Sequence, residues 1–253
     1  MRLDLTADFA VTLTSQPLGH TPRYSLSGAY VTASPHTGRL SHEALLAETF
    51  GSVDWLWSGD DEFRFDKADR SLRGCTLTVP EEAPTGWDPS MWADVPPTPG
   101  SMMALAQVNF DAKPTSVRWV SDSGDQLVCA HNRAPAPVHD ILRLRIAPDL
   151  DLIFEDGAYA GWILNHPADH LVREWEPAPS TPAPDSTKSV LRTYLTTIIE
   201  PKIDRMQDGD PSLLGELDVL LALIAAIPSD PRRDVLHDQV VGLREAWYGD
   251  SLA

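Results

Sequence analysis

The chain has 253 residues, with 20 Lys and Arg against 37 Asp and Glu, and a formal net charge of −17. That length allows one or two domains with a sizeable core, and the ordinary hydrophobic content argues against bulk disorder. The charge opposes non-specific nucleic-acid binding, which needs Lys and Arg to neutralise phosphates, and suits a basic protein partner approached by electrostatic steering.

Residues 1–176 hold 13 basic and 25 acidic side chains, and residues 177–253 hold 7 and 12, so both parts are acidic. The densest blocks are 54–94, with ten acids against four bases, and 149–156, with four against none. Cys75 and Cys129 do not make a disulfide framework, and each reads as a buried strand cysteine, although His131 lies two residues beyond Cys129. Met1-Arg2-Leu3-Asp4 opens no apolar leader. The longest apolar run, Val219 to Ile227, is roughly half of the ~20 residues that a membrane span needs. A cytoplasmic protein is the expectation.

In chain order, Phe9, Val11 and Leu13 alternate as one strand, and Tyr24 to Thr32 begins another after Pro17, Gly19 and Pro22. Ser41 reads as an N-cap, followed at helical spacing by Leu45, Leu46 and Phe50, with Gly51 as the stop. Strands resume at Val53. Trp55 and Trp57 precede the acidic turn Asp60-Asp61, Phe63 and Phe65 alternate with Arg64, and Leu72 to Val79 returns as a hairpin. Residues 80–100 are Pro-rich and read as a long loop. Val117 and Trp119 flank Arg118, and Leu127 and Cys129 lie on the return. This echoes Phe63-Arg64-Phe65, Leu72 and Cys75, and a true repeat would make the body two related β units.

Ile141 to Ile146 forms a further strand. Leu150, Leu152 and Phe154 alternate up to Asp156-Gly157, the pair that a tight primed turn requires, and Ala158 to Leu164 returns. Residues 177–187 are a Pro-rich linker or surface arm. Beyond it the period turns helical. Val190, Leu191, Tyr194, Leu195, Ile198 and Ile199 form one stripe, Asp210-Pro211 opens a second helix and Pro231 a third. Leu213 to Ile227 is apolar on nearly every side, as expected for the central buried helix of a small bundle. The fold class is therefore α+β: an antiparallel β-rich body over 1–176, then a helical hairpin or three-helix unit over 188–253.

Few side-chain patterns carry chemistry. His166, His170 and Glu174 would share a helical face and could hold a metal, but Asn165 or His166 before Pro167 is also an ordinary helix start. His42-Glu43-Ala44-Leu45-Leu46 begins like a zincin motif, yet Leu46 occupies the second ligand position. Asp149, Asp151, Glu155 and Asp156 cluster without basic neighbours in sequence. They read as the solvent-facing side of an edge hairpin, with a divalent site or acid pair as the alternative. Trp87 and Trp92, with Trp55 and Trp57, would supply an interface hot spot or a ligand slot around the Pro-rich loop. No nucleophile elbow, dinucleotide loop or Walker sequence occurs, so no catalytic residue and no cofactor are expected.

Over Leu150 to Leu171, Gly161-Trp162-Ile163-Leu164 and Asn165-His166-Pro167 follow a strand and turn. This stretch resembles immunity proteins of bacterial polymorphic toxin systems. The resemblance implies a non-enzymatic inhibitor whose acidic surface caps a basic toxin. Asp60, Asp61, Asp149, Asp151, Glu155, Asp156, Trp87 and Trp92 are the expected partner-binding residues. The alternatives are an accessory or scaffold protein of an actinobacterial pathway, suggested by the GC-rich bias in composition, and an enzyme with an unrecognised carboxylate or histidine site.

Overall fold

Two-residue alternation builds two sheets that pack face to face. The computed structural model describes residues 1–52, 60–85, 90–131 and 138–249. Its strands are β1 (Arg2–Thr6), β2 (Phe9–Thr14), β3 (Arg23–Ser25), β4 (Tyr30–Ala33), β5 (Thr49–Ser52), β6 (Glu62–Asp66), β7 (Leu72–Thr78), β8 (Thr98–Pro99), β9 (Ser101–Ala104), β10 (Val117–Val120), β11 (Gln126–Ala130), β12 (Ile141–Ala147), β13 (Leu150–Glu155), β14 (Ala158–Asn165) and β15 (Leu171–Val172). The helices are α1 (Arg39–Glu48), α2 (Ser90–Ala93), α3 (Asp185–Thr197), α4 (Lys202–Gln207), α5 (Pro211–Ala226) and α6 (Pro231–Tyr248).

The larger sheet runs β8-β12-β13-β14-β1-β2-β9, with the β10–β11 hairpin also joined to β14. The smaller sheet runs β15-β3-β4-β7-β6-β5. Apolar residues of the two inner faces meet. Phe9 of β2 lies 5.5 Å, centroid to centroid, from Phe65 of β6, and Phe63 lies 5.8 Å from Tyr159 of β14. Cys75 and Cys129 are free and buried, as expected of strand cysteines.

The Asp156-Gly157 turn forms as its residues require, with φ of 50° and 85° joining β13 to β14. The echo between the two Arg-flanked hairpins has no counterpart in pairing. Phe63 faces Cys75 in the smaller sheet, whereas Arg118 faces Cys129 in the larger. The early helix begins and ends earlier than its spacing predicts, at Arg39 and Glu48. Ser41 lies inside α1, and its hydroxyl donates to Gly38 O at 2.8 Å. Phe50 belongs to β5, because Gly51 continues that strand at φ 135° where a Cβ would lie 2.0 Å from Phe63 O.

Among the described residues the helical tail has four helices rather than three, and it packs on the body. Its core residues, from Val190 to Tyr248, belong to the same hydrophobic cluster as the sandwich. Arg118 of β10, buried, donates to the carbonyls of Leu195 and Ile198 and so satisfies the end of α3. Arg232, fully buried, bonds Asp230 at 3.0 Å and reaches Thr181 O, which pins the Pro-rich segment as an arm across the surface. Asp210 and Asp230 cap α5 and α6 just before their prolines. One expectation holds in part. α5 packs against α3, α4 and α6 and so is central to the helical unit, but it buries only the face of Leu213, Leu217, Leu220 and Ile224 and leaves Val219 and Leu223 exposed. Among the described residues no helix is long and apolar enough to cross a membrane.

Candidate functional site

The acidic stretch 149–156 is an internal scaffold. β13 is flanked by β12 and β14, so it is not an edge strand, and every one of its residues is buried. Its outward side chains are covered by α2, where Trp92 anchors a second hydrophobic cluster with Val128, Ile153 and Ile163. The basic neighbours missing from this stretch come from β12. Asp151, fully buried, accepts from Arg143 Nε at 2.7 Å and from Arg145 Nε at 2.7 Å, and Asn165 donates to it at 3.1 Å. Glu155 accepts from Trp92 Nε1 at 2.8 Å. Asp149 and Asp156 occupy turns with positive φ. Asp149 lies 3.4 Å from His170, which holds its carboxyl below the usual range, and Asp156 accepts the amides of His139 and Asp140.

These placements withdraw Asp151, Glu155 and Trp92 from the expected contact surface, because buried groups that are already satisfied leave nothing for a partner. Trp55, Trp57 and Trp87 lie outside the described residues. Asp61 is also fully buried, although the acidic turn suggested exposure. Its Oδ1 accepts the amide of Thr78 at 2.7 Å, and burial pushes its carboxyl up to about 7. Its neighbour Asp60 stays half-buried.

The proposed metal face does not form. His166 takes a left-handed φ of 50° before a short 3₁₀ turn over Pro167–His170, so His166, His170 and Glu174 do not share a helix. His166 lies 3.5 Å from Asp125, and buried His170 shares a hydrogen bond with Pro22 O at 3.1 Å. Among the described residues no group of three or more metal-competent side chains comes together.

The open concave site lies elsewhere, on the outer face of the smaller sheet. The alternation that sends Phe63, Phe65, Cys75, Leu77 and Val31 into the core turns Glu62, Arg64, Thr76, Thr78, Tyr30 and Thr32 outward. These residues floor a cleft of about 1050 Å³. Thr32, Thr76 and Glu62 stand in register across three strands. The Thr32 hydroxyl donates to Thr76 Oγ1 at 3.2 Å.

Aromatic side chains from three segments roof this floor. His36 follows β4 and is buried, with Nδ1 2.7 Å from Ser34 Oγ. His42 comes from α1. Trp175 follows β15, and its backbone is fixed by Arg23 Nη1 donating to its carbonyl at 2.9 Å. The Glu176 carboxylate adds a brace by accepting the amides of Arg173 and Glu174. Ring centroids lie 4.6 Å apart for His36 and His42, 5.2 Å for His36 and Trp175, and 6.1 Å for His42 and Trp175. Burial first, then the proximity of His42, Arg23 and His20, lowers His36 to about 4, so it is neutral at pH 7.

The charged groups of the cleft divide into two kinds. The cations are tied to backbone. Arg64 donates through Nη1 to Ser52 O at 3.1 Å and through Nη2 to Thr49 O at 3.0 Å, with Nε on the Thr49 hydroxyl at 3.0 Å. Lys67 Nζ donates to Ala47 O at 2.6 Å, at the end of α1. The carboxylates are not tied in this way. Glu62, 5% exposed, is met among the described residues by His42 Nε2, 3.3 Å from each oxygen. Asp60 and Asp111 have no hydrogen bond or ion pair among the described residues.

A nucleophilic relay is interrupted in this arrangement. The Ser34–His36 pair and the His42–Glu62 pair meet through tilted rings, with no hydrogen bond between the two imidazoles among the described residues. The imidazole beside the hydroxyl therefore lacks the carboxylate that would orient it. What the cleft offers is acceptors and aromatic faces. Comparison of the chain with protein-family models, with curated proteins and with solved structures found no match.

Proposed function

We propose that the protein is a non-enzymatic, acidic protein-binding module that docks a basic partner at the cleft of the smaller sheet. The observation that carries this reading is the asymmetry of charge commitment. Arg64 and Lys67 are tied to backbone carbonyls, whereas the carboxylate of Glu62 is held in a buried position where, among the described residues, it is hydrogen-bonded by the His42 imidazole and feels the charge of Arg64 without being bonded by it. Keeping a carboxylate out of water is costly unless it is paired, and an incoming cation supplies the pair. The net charge of −17 raises the rate at which such a partner arrives.

The most concrete form of this reading is an immunity-protein-like inhibitor of a basic toxin, acting in the cytoplasm. The contact surface shifts, however, from the β13 hairpin to the cleft and its rim carboxylates, Asp60 and Asp111.

The test is capture of partners from the native host at low and high salt, with wild-type protein and Glu62→Gln as baits. The expected result is a basic partner held at low salt, released as salt rises, and retained at least tenfold less by Glu62→Gln. Capture at neither salt, or capture unaffected by Glu62→Gln, overturns the reading.

A further inference from the structure

We infer that the cleft takes a single guanidinium group, an arginine side chain of the partner, inserted between Trp175 and Glu62. The inference rests on the binding reading above and specifies which group enters the site.

The geometry favours insertion over contact at the rim. Glu62 lines a cleft of about 1050 Å³ but is only 5% exposed, because His42 Nε2 lies 3.3 Å from each of its oxygens, so a side chain that enters the cleft reaches the carboxylate by displacing the His42 imidazole. Once inside, a cation meets the rings of His42 and Trp175, which buried His36 backs at 4.6 and 5.2 Å. A planar, weakly hydrated guanidinium stacks on such faces and loses little hydration in doing so, while a compact ammonium is held more tightly by water.

The acceptors also match a guanidinium. Its five N–H donors form a rigid fork, and a carboxylate accepts two of them side by side. Glu62 supplies those two oxygens once the His42 imidazole, 3.3 Å from each, has swung aside. The Thr76 hydroxyl, in register beside it, and the Thr78 hydroxyl next along β7 supply acceptors for the remaining donors. An ammonium has three donors and no plane, so it would leave part of this set unused.

Repulsion from the two resident cations is limited by where they point, Lys67 being held on Ala47 O at the end of α1. Arg64 is turned toward β5, on the opposite side of β6 from Thr76, and held there by Thr49 and Ser52. His36 carries no charge at pH 7.

The experiment titrates the full chain with N-acetyl-arginine methylamide, with its lysine counterpart, and with the neutral isostere built on citrulline, followed by calorimetry and ligand-observed NMR. For a ligand of this size the arginine probe should bind with a Kd on the order of millimolar. The lysine probe should bind at least fivefold more weakly and the citrulline probe should show no saturation. Glu62→Gln and Trp175→Leu should each weaken arginine at least tenfold. Thr76→Val, which leaves the carboxylate in place, should weaken it two- to fivefold. Equal binding of arginine and lysine, or of arginine and citrulline, overturns the guanidinium assignment, as does arginine binding that survives Glu62→Gln. A partner whose capture depends on Glu62 while the arginine probe stays silent removes this inference and leaves the binding reading intact. Capture indifferent to Glu62 removes the binding reading itself.

Discussion

Asp61 should make the protein less stable as pH rises from about 4 to about 7. The carboxyl is fully buried, Oδ1 accepts the Thr78 amide, and Oδ2 has no partner among the described residues. Burial raises its pKa from 3.8 to about 7. Between those two values the unfolded chain has released this proton and the folded chain has kept it. Raising the pH then favours the unfolded state, so stability falls through the window and levels off above about 7. The interval corresponds to roughly 4 kcal/mol.

Asp61→Asn removes the titration. It also places an amide N–H₂ where Oδ2 lies, at a cost of about 1–3 kcal/mol if no acceptor is found. The variant should therefore be less stable than wild type near pH 4 and more stable by about 1–3 kcal/mol at pH 8, with the two curves crossing between. Urea unfolding of both proteins at half-unit pH steps measures this. Carboxylates with lowered pKa values, such as Asp149 and Asp210, are common to both proteins and cancel in the difference. A difference that does not change with pH would refute the reasoning, because Asp61 would then titrate alike folded and unfolded.

Two further predictions concern the scaffold. Asp151→Ala leaves Arg143 buried at 4% exposure without its carboxylate, and should cost about 3–5 kcal/mol in urea unfolding. Asp4→Ala, which breaks the exposed Arg2–Asp4 pair, should change stability by less than about 1 kcal/mol, so equal losses would show that burial is not what matters. Gly51→Ala should cost more than about 2 kcal/mol, because it combines φ of 135° with a Cβ placed 2.0 Å from Phe63 O. Gly157→Ala, at φ 85° with open space around it, should cost only about 1 kcal/mol by thermal unfolding, and a reversed order would contradict the steric account.

The fold was most legible where local chemistry decides it. Asp-Gly can satisfy two positive φ values, and the β13–β14 turn forms there. Asp210-Pro211 and Asp230-Pro231 cap and start helices with atoms close in sequence, and both helices begin where those pairs stand. Legibility failed where pairing partners are distant. Nothing within 149–156 shows that β12 brings Arg143 and Arg145 to Asp151, or that α2 lays Trp92 over Glu155. An acidic strand with polar alternation looks the same whether water or a second layer covers it.

The cleft is illegible in the sequence for the same reason in reverse. Glu62, Arg64, Thr76 and Thr78 stand at the positions a half-buried strand gives to solvent, and their spacing carries no sign of a roof. In the sequence His42 stands only as the first residue of an incomplete zincin motif, and Trp175 belongs to no motif. Each becomes informative only when β15 pairs with β3, so that Trp175 swings over the smaller sheet, and when α1 lies across the same face. The net charge makes a cationic partner an expectation of composition and says nothing of where one would bind. The place depends on which charges are already satisfied, and that is a property of tertiary hydrogen bonding. Arg64 and Lys67 spend their donors on carbonyls of β5 and α1, while the Glu62 carboxylate, among the described residues, is met by the His42 imidazole.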